Sequence, residues 1–105
     1  MKTLTSSMIL SSLLASTLAM AEDKQIDIQN YQFSPAKLTV TAGSKITWIN
    51  HDEIPHTIIE KDKKFHSSAL DTNDRYSNTL TKPGTYEYFC SLHPTMVGII
   101  VVTAP

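Results

Sequence analysis

The sequence predicts an all-β fold of about seven short strands, a β-sandwich or small barrel with Greek-key connections. Three observations carry this. From Glu22 onward apolar residues alternate with polar ones at a period of two. Turn-forming residues punctuate the runs. No stretch shows the apolar period of an amphipathic helix.

Taken in order, Ile26 and Ile28 alternate with polar neighbours, as do Leu38 and Val40 in Lys-Leu-Thr-Val-Thr, and Ile46 and Trp48 in Lys-Ile-Thr-Trp-Ile-Asn. These read as half-buried strands. Thr57 to Glu60, Tyr76 to Leu80, Thr85 to Cys90 and Gly98 to Val102 are rich in β-branched and aromatic residues, which fit a pleated surface. Ser34-Pro35, Ala42-Gly43, Asn73-Asp74 and Lys82-Pro83-Gly84 supply the turns. Glu60 to Asp74 is the most polar stretch and reads as a surface excursion, with the mixed charges of Glu60 to Lys64 forming a solvated loop. Trp48, Tyr86, Tyr88 and Phe89 are expected in the core or near the site.

Before the first strand, residues 1–21 carry one charge, Lys2, then an apolar stretch around Met8 to Leu18, then Ala19-Met20-Ala21. This pattern predicts a signal peptide removed after Ala21, leaving residues 22–105 as one domain in the periplasm. A membrane anchor fits less well, because Ser and Thr interrupt the segment and a span needs about twenty mainly apolar residues. The 105-residue chain has nine basic and ten acidic side chains, a formal charge of -1. No basic run exceeds Lys63-Lys64, so the expectation is no nucleic-acid partner and no stable membrane association.

The single cysteine cannot form an internal disulfide, and an exported thiol is exposed to oxidants unless buried or bound to metal. Its surroundings supply a use. In Tyr-Glu-Tyr-Phe-Cys-Ser-Leu-His-Pro-Thr-Met a strand runs into a loop that holds Cys90, His93 and Met96 at steps of three. Alone, a cysteine or methionine here would be core packing. Together they are a thiolate, an imidazole and a thioether on a loop short enough to converge. His56 follows the strand containing Trp48, and in a sandwich its loop can reach the same pole. Two imidazoles, a thiolate and a weak thioether are the ligand set of copper electron-transfer sites. Zinc sites use four Cys or His ligands, or three with a water, and have no place for Met96. One copper ion, cycling between Cu(I) and Cu(II), is the expected cofactor.

With these residues in view, the sequence resembles the cupredoxins, specifically the small plastocyanin and amicyanin-like blue copper proteins. The resemblance runs from Tyr31-Gln32-Phe33-Ser34-Pro35 through Gly43, Ile46-Thr47-Trp48-Ile49-Asn50, Pro55-His56-Thr57 and Phe65-His66-Ser67 to Pro83-Gly84-Thr85-Tyr86-Glu87-Tyr88-Phe89-Cys90 and His93-Pro94-Thr95-Met96-Val97-Gly98. The Cys-x2-His-x2-Met loop is most similar to that of amicyanin. The resemblance implies an eight-stranded Greek-key sandwich, with His56, Cys90 and His93 as equatorial ligands and Met96 as the axial one. One position departs from the pattern. Where the family often has Asn after the first ligand His, tying the two ligand loops together, this chain has Thr57. A hydroxyl donates one hydrogen bond where an amide offers two donors and an acceptor, so this position brings fewer groups to the tie.

Four ligands leave no easy position for substrate, and the His-x-His pairs of a multicopper oxidase are missing. The expectation is therefore a monomeric one-electron carrier, not an enzyme. Redox proteins would dock transiently near His93, on a rim of Leu92, Pro94, Ile54 and Pro55. The alternative is a periplasmic copper delivery or sequestration protein using the same ligands. His51 and His66 lie off the Cys90 loop and read as surface residues.

Overall fold

The computed structural model describes residues 20–105. Eight strands form two four-stranded sheets: β1 (Asp23–Gln29), β2 (Gln32–Ser34), β3 (Lys37–Thr41), β4 (Ser44–Asn50), β5 (Ile59–Glu60), β6 (Arg75–Leu80), β7 (Gly84–Phe89) and β8 (Val97–Thr103). One sheet has the order β2-β1-β4-β6 and the other β3-β8-β7-β5. The pairs β1–β4 and β3–β8 are parallel. The other neighbours are antiparallel. Two separate sheets make this a sandwich and not a barrel. The predicted signal segment lies almost wholly outside the described residues, and among those described no helix is long and apolar enough to cross a membrane.

The period-two reading places the core correctly. Ile26, Ile28, Ile46, Trp48 and Ile100 are fully buried between the sheets while their sequence neighbours are more exposed, and only at the end of β4 does the alternation give way, with Ile49 and Asn50 buried as well. Trp48 sits in an aromatic cluster, edge-on to Tyr88 at 5.5 Å between ring centroids and tilted against Phe65 at 5.6 Å. Burial pushes the Tyr88 phenol up to about 12, so it stays neutral throughout the physiological range.

Two local expectations need correction. The strand expected over Thr57 to Glu60 shrinks to Ile59–Glu60 because the preceding backbone is engaged elsewhere. The Thr57 N–H points at the Cys90 sulfur and the Ile58 N–H donates to Ser67 Oγ, so neither can join a ladder. Glu60 is also not part of a solvated loop, being only 2% exposed. Its carboxylate accepts the backbone N–H groups of Asp62 and Lys64, which closes the turn ahead of Phe65. Lys61 to Lys64 remain exposed as expected.

Candidate metal centre

The site forms at the pole where β4 and β7 end. Cys90 follows the last residue of β7, and its N–H donates to the Met96 carbonyl at 3.1 Å. Inside that closure the His93 N–H donates to the Cys90 carbonyl at 3.2 Å and the Met96 N–H to the His93 carbonyl at 2.9 Å. The loop thus reverses in two successive tight turns. Met96, 4% exposed, returns directly beside the cysteine.

His56 is held from the other side. Its N–H and carbonyl both pair with Leu70, at 3.1 and 2.7 Å, as an isolated antiparallel bridge. Asn50, fully buried at the end of β4, sends its amide to the carbonyls of Ile54 and Leu70 and accepts the Asp52 N–H. That one side chain fixes the path of the loop from Asn50 to His56. Burial of the amide is tolerable because its hydrogen-bonding groups are occupied.

The imidazole of His56 is oriented by Asp52, whose Oδ2 lies 2.8 Å from Nε2. Burial pushes the Asp52 carboxyl up, but the Tyr31 N–H, the His56 ring and the Asn30 N–H outweigh it and hold it below its ordinary value. An ionised carboxylate only accepts, so the Nε2 atom carries the proton. The Nδ1 atom on the other side of the ring faces the cysteine sulfur at 3.7 Å. A carboxylate behind a ligand histidine is a common way to fix its tautomer and ring plane. The Nδ1 of His93 is also 3.7 Å from the sulfur. Donor atoms of His56, Cys90 and His93 all lie within 4.8 Å of one another.

Thr57 does more than its single hydroxyl suggested. Its oxygen accepts the Ser91 N–H at 2.8 Å and pairs with the Ser91 hydroxyl at 2.8 Å. Its own proton is directed at the Cys90 sulfur at 3.7 Å, and its backbone N–H approaches the same sulfur at 3.3 Å. A Thr–Ser pair therefore ties the two ligand loops together. Two donors aimed at a sulfur stabilise a thiolate and tune any metal bound to it.

The remaining histidines lie apart from this cluster. Exposed His51 pairs with Asp27 at 2.8 Å, and the Asp27 carboxyl is held low by the Gln25 amide first and by His51 second. His66 is exposed as well. Sequence reasoning missed Asn50, Asp52 and Tyr31. Tyr31, on the turn between β1 and β2, stands edge-on to both His56 and His93. An acidic residue four positions before a candidate ligand His was a usable signal for Asp52.

A buried thiol facing two imidazoles, with a thioether on the same loop, fits copper and does not fit the all-Cys/His sets of structural zinc. The comparisons agree. Residues 20–103 match the family of copper binding proteins, plastocyanin/azurin family. The chain is 34% identical to amicyanin-alpha of Methylorubrum extorquens over 89 residues, covering 80% of this chain and 75% of that protein. It is 32% identical to amicyanin of Paracoccus denitrificans over 82 residues, covering 73% of this chain and 63% of that one. Among solved structures, a purple cupredoxin from Nitrosopumilus maritimus superposes with a TM-score of 0.74 at 36% identity, over 77% of this chain and all of that one. Fold, donor chemistry and sequence relatives converge, and the chain belongs to the plastocyanin/azurin family as a small type 1 copper cupredoxin.

Proposed function

We propose that the protein is a periplasmic one-electron carrier whose copper would be held by His56 Nδ1, Cys90 Sγ, His93 Nδ1 and the Met96 thioether. Bound copper supplies a couple between Cu(I) and Cu(II). One observation carries the reading: His56 and Cys90 are fully buried and Met96 nearly so, while His93 alone among the four is half-exposed. Such a site has no place for a substrate, but it has an edge through which an electron can pass. The residues around it keep the geometry fixed between oxidation states. Asp52 holds the His56 ring, the hydrogen-bonded loop holds Cys90 and Met96, and Thr57 with Ser91 prevents the two ligand loops from separating.

The surface around His93 suits brief docking by a redox protein. Leu92 is 54%, Val97 61%, Tyr31 45% and Ile54 38% exposed, and all four stand at the site's end of the sandwich. An apolar rim allows close approach with little cost of desolvating charge, and a small one releases its partner quickly. Placement in the periplasm rests on the signal-peptide pattern of residues 1–21. The copper-delivery alternative gains no specific observation here, since the site is closed and has no further exposed thiol or thioether beside it among the described residues.

Substituting the rim tests the reading. Leu92→Asp puts an unpaired charge where a partner must approach, but removes no ligand atom. Stopped-flow electron transfer with a redox partner should slow by about tenfold or more while copper content and visible spectrum persist. Unchanged transfer with every partner, together with failure of the same variant to pass Cu(I) to an acceptor, would favour delivery. Met96→Gln should leave a coloured site at a lower reduction potential, because a harder oxygen donor favours Cu(II). Voltammetry showing no shift would remove Met96 from the ligand set.

A further inference from the structure

The turn between β1 and β2 is built against its own backbone preference. Register pairs Gln29 with Gln32, so the loop is the two residues Asn30 and Tyr31, and both have positive φ, 54° and 60°. Two-residue hairpins of this kind favour Asn followed by Gly, since a left-handed conformation suits Gly and strains a bulky side chain. Asn30 fits that rule and Tyr31 does not.

What the tyrosine gains is contact with both imidazoles. Its ring stands edge-on to His93 at 5.0 Å and 87°, and to His56 at 5.4 Å and 84°. The two imidazoles are themselves 5.0 Å apart at 63°, so the three rings form one cluster with Tyr31 on its outer side. The turn is fastened from below by Asp52, whose Oδ1 accepts the Asn30 N–H at 2.7 Å and whose Oδ2 accepts the Tyr31 N–H at 3.0 Å. The same Oδ2 holds His56 Nε2. One carboxylate therefore holds a buried imidazole and the backbone of the turn that carries the aromatic ring beside it.

We infer that Tyr31 is a positioning residue for copper retention: its ring, carried on a turn whose backbone Asp52 fastens, packs against the His56 and His93 rings and closes the outer approach to the metal. The inference rests on the ligand assignment proposed above. For copper to leave, an imidazole must rotate away from it. His93 cannot do so past an edge-on ring unless that ring swings aside, which gives up its contacts with both imidazoles. The clasp would thus slow release of the metal itself while leaving the His93 edge open to electrons.

Two variants separate this role from a merely structural one. Tyr31→Gly removes the ring but suits the left-handed backbone, so the thermal midpoint should stay near that of the wild type. Tyr31→Phe keeps the ring. Copper-loaded protein reduced with ascorbate is mixed with bicinchoninate, a Cu(I) chelator, and transfer is followed optically. Release should be about tenfold faster for Tyr31→Gly, the loss of two edge-on ring contacts, and unchanged for Tyr31→Phe. In the metal-free proteins, NMR should show ring-current shifts on the His56 and His93 ring protons for wild type and Tyr31→Phe, lost in Tyr31→Gly. Wild-type release rates from Tyr31→Gly, equally fast release from both variants, or ring-proton shifts indifferent to the glycine substitution would overturn the clasp. The NMR arm reads the clasp without metal, so it stands apart from the ligand assignment, which fails if Cu(II) bound to the wild type gives no thiolate band.

Discussion

Cys90→Ser is expected to abolish the visible thiolate-to-copper charge-transfer band while leaving a folded sandwich. The sulfur is the meeting point of the site, 3.7 Å from each His Nδ1 and fully buried. An intense visible band needs a short bond from copper to a soft, easily oxidised thiolate, and a serine hydroxyl is hard and protonated at neutral pH. The fold has little reason to fail. The oxygen can accept the Thr57 N–H that now approaches sulfur at 3.3 Å, so the buried hydroxyl is not left unpaired. Stability should fall by no more than about 2 kcal/mol, the scale of an imperfectly satisfied buried hydroxyl. A Cu(II) titration in the visible reads the first expectation and a thermal melt by circular dichroism reads the second. A band that survives the substitution would mean the colour arises elsewhere.

The largest expected loss of stability belongs to a glycine. Gly98 is the direct cross-strand partner of Tyr88, and the phenol ring lies across its backbone so closely that an added Cβ would collide with the ring edge. Tyr88 cannot give way easily, being 2% exposed and wedged between Phe33, at 4.7 Å, and Trp48. Gly98→Ala must therefore shift the start of β8 or the core aromatics, at a cost of about 3 kcal/mol or more. Met96 lies two residues upstream, so the shift should also reach the ligand loop. Adding Tyr88→Leu should recover part of the loss, giving a double-mutant coupling of at least about 1 kcal/mol. Urea melts of the two single variants and the pair supply the numbers. Strict additivity would show that ring and backbone do not compete for the same space.

Much of this was legible in the sequence for physical reasons that can be named. The alternation in Ile26-Asp27-Ile28 and Ile46-Thr47-Trp48 reports burial directly, because successive side chains of a strand face opposite sides. Cys90, His93 and Met96 were legible because a short loop fixes how far apart they can stand. His56 was reachable only through the topology, with its loop placed at the same pole. What stayed hidden depends on which loops meet. Asn50 and Asp52 look like ordinary turn residues until Leu70 and the Asn30–Tyr31 turn are seen to lie beside them. Glu60 looked solvated because the sequence shows its charged neighbours and not the two N–H groups that its carboxylate closes upon. Thr57 was judged by its own donor count, and the partner that completes its network, Ser91, belongs to the opposite ligand loop.

The central claim, that this site carries electrons and keeps its metal, is tested most directly by redox cycling of the copper-loaded protein. Substoichiometric reductant is added while the visible band and the copper in a protein-free filtrate are followed together, and the protein is then reoxidised. The account predicts that the band bleaches with one electron per chain, returns fully on reoxidation, and leaves the filtrate free of copper through repeated cycles. Copper appearing in the filtrate on reduction, with colour that does not return, would contradict it.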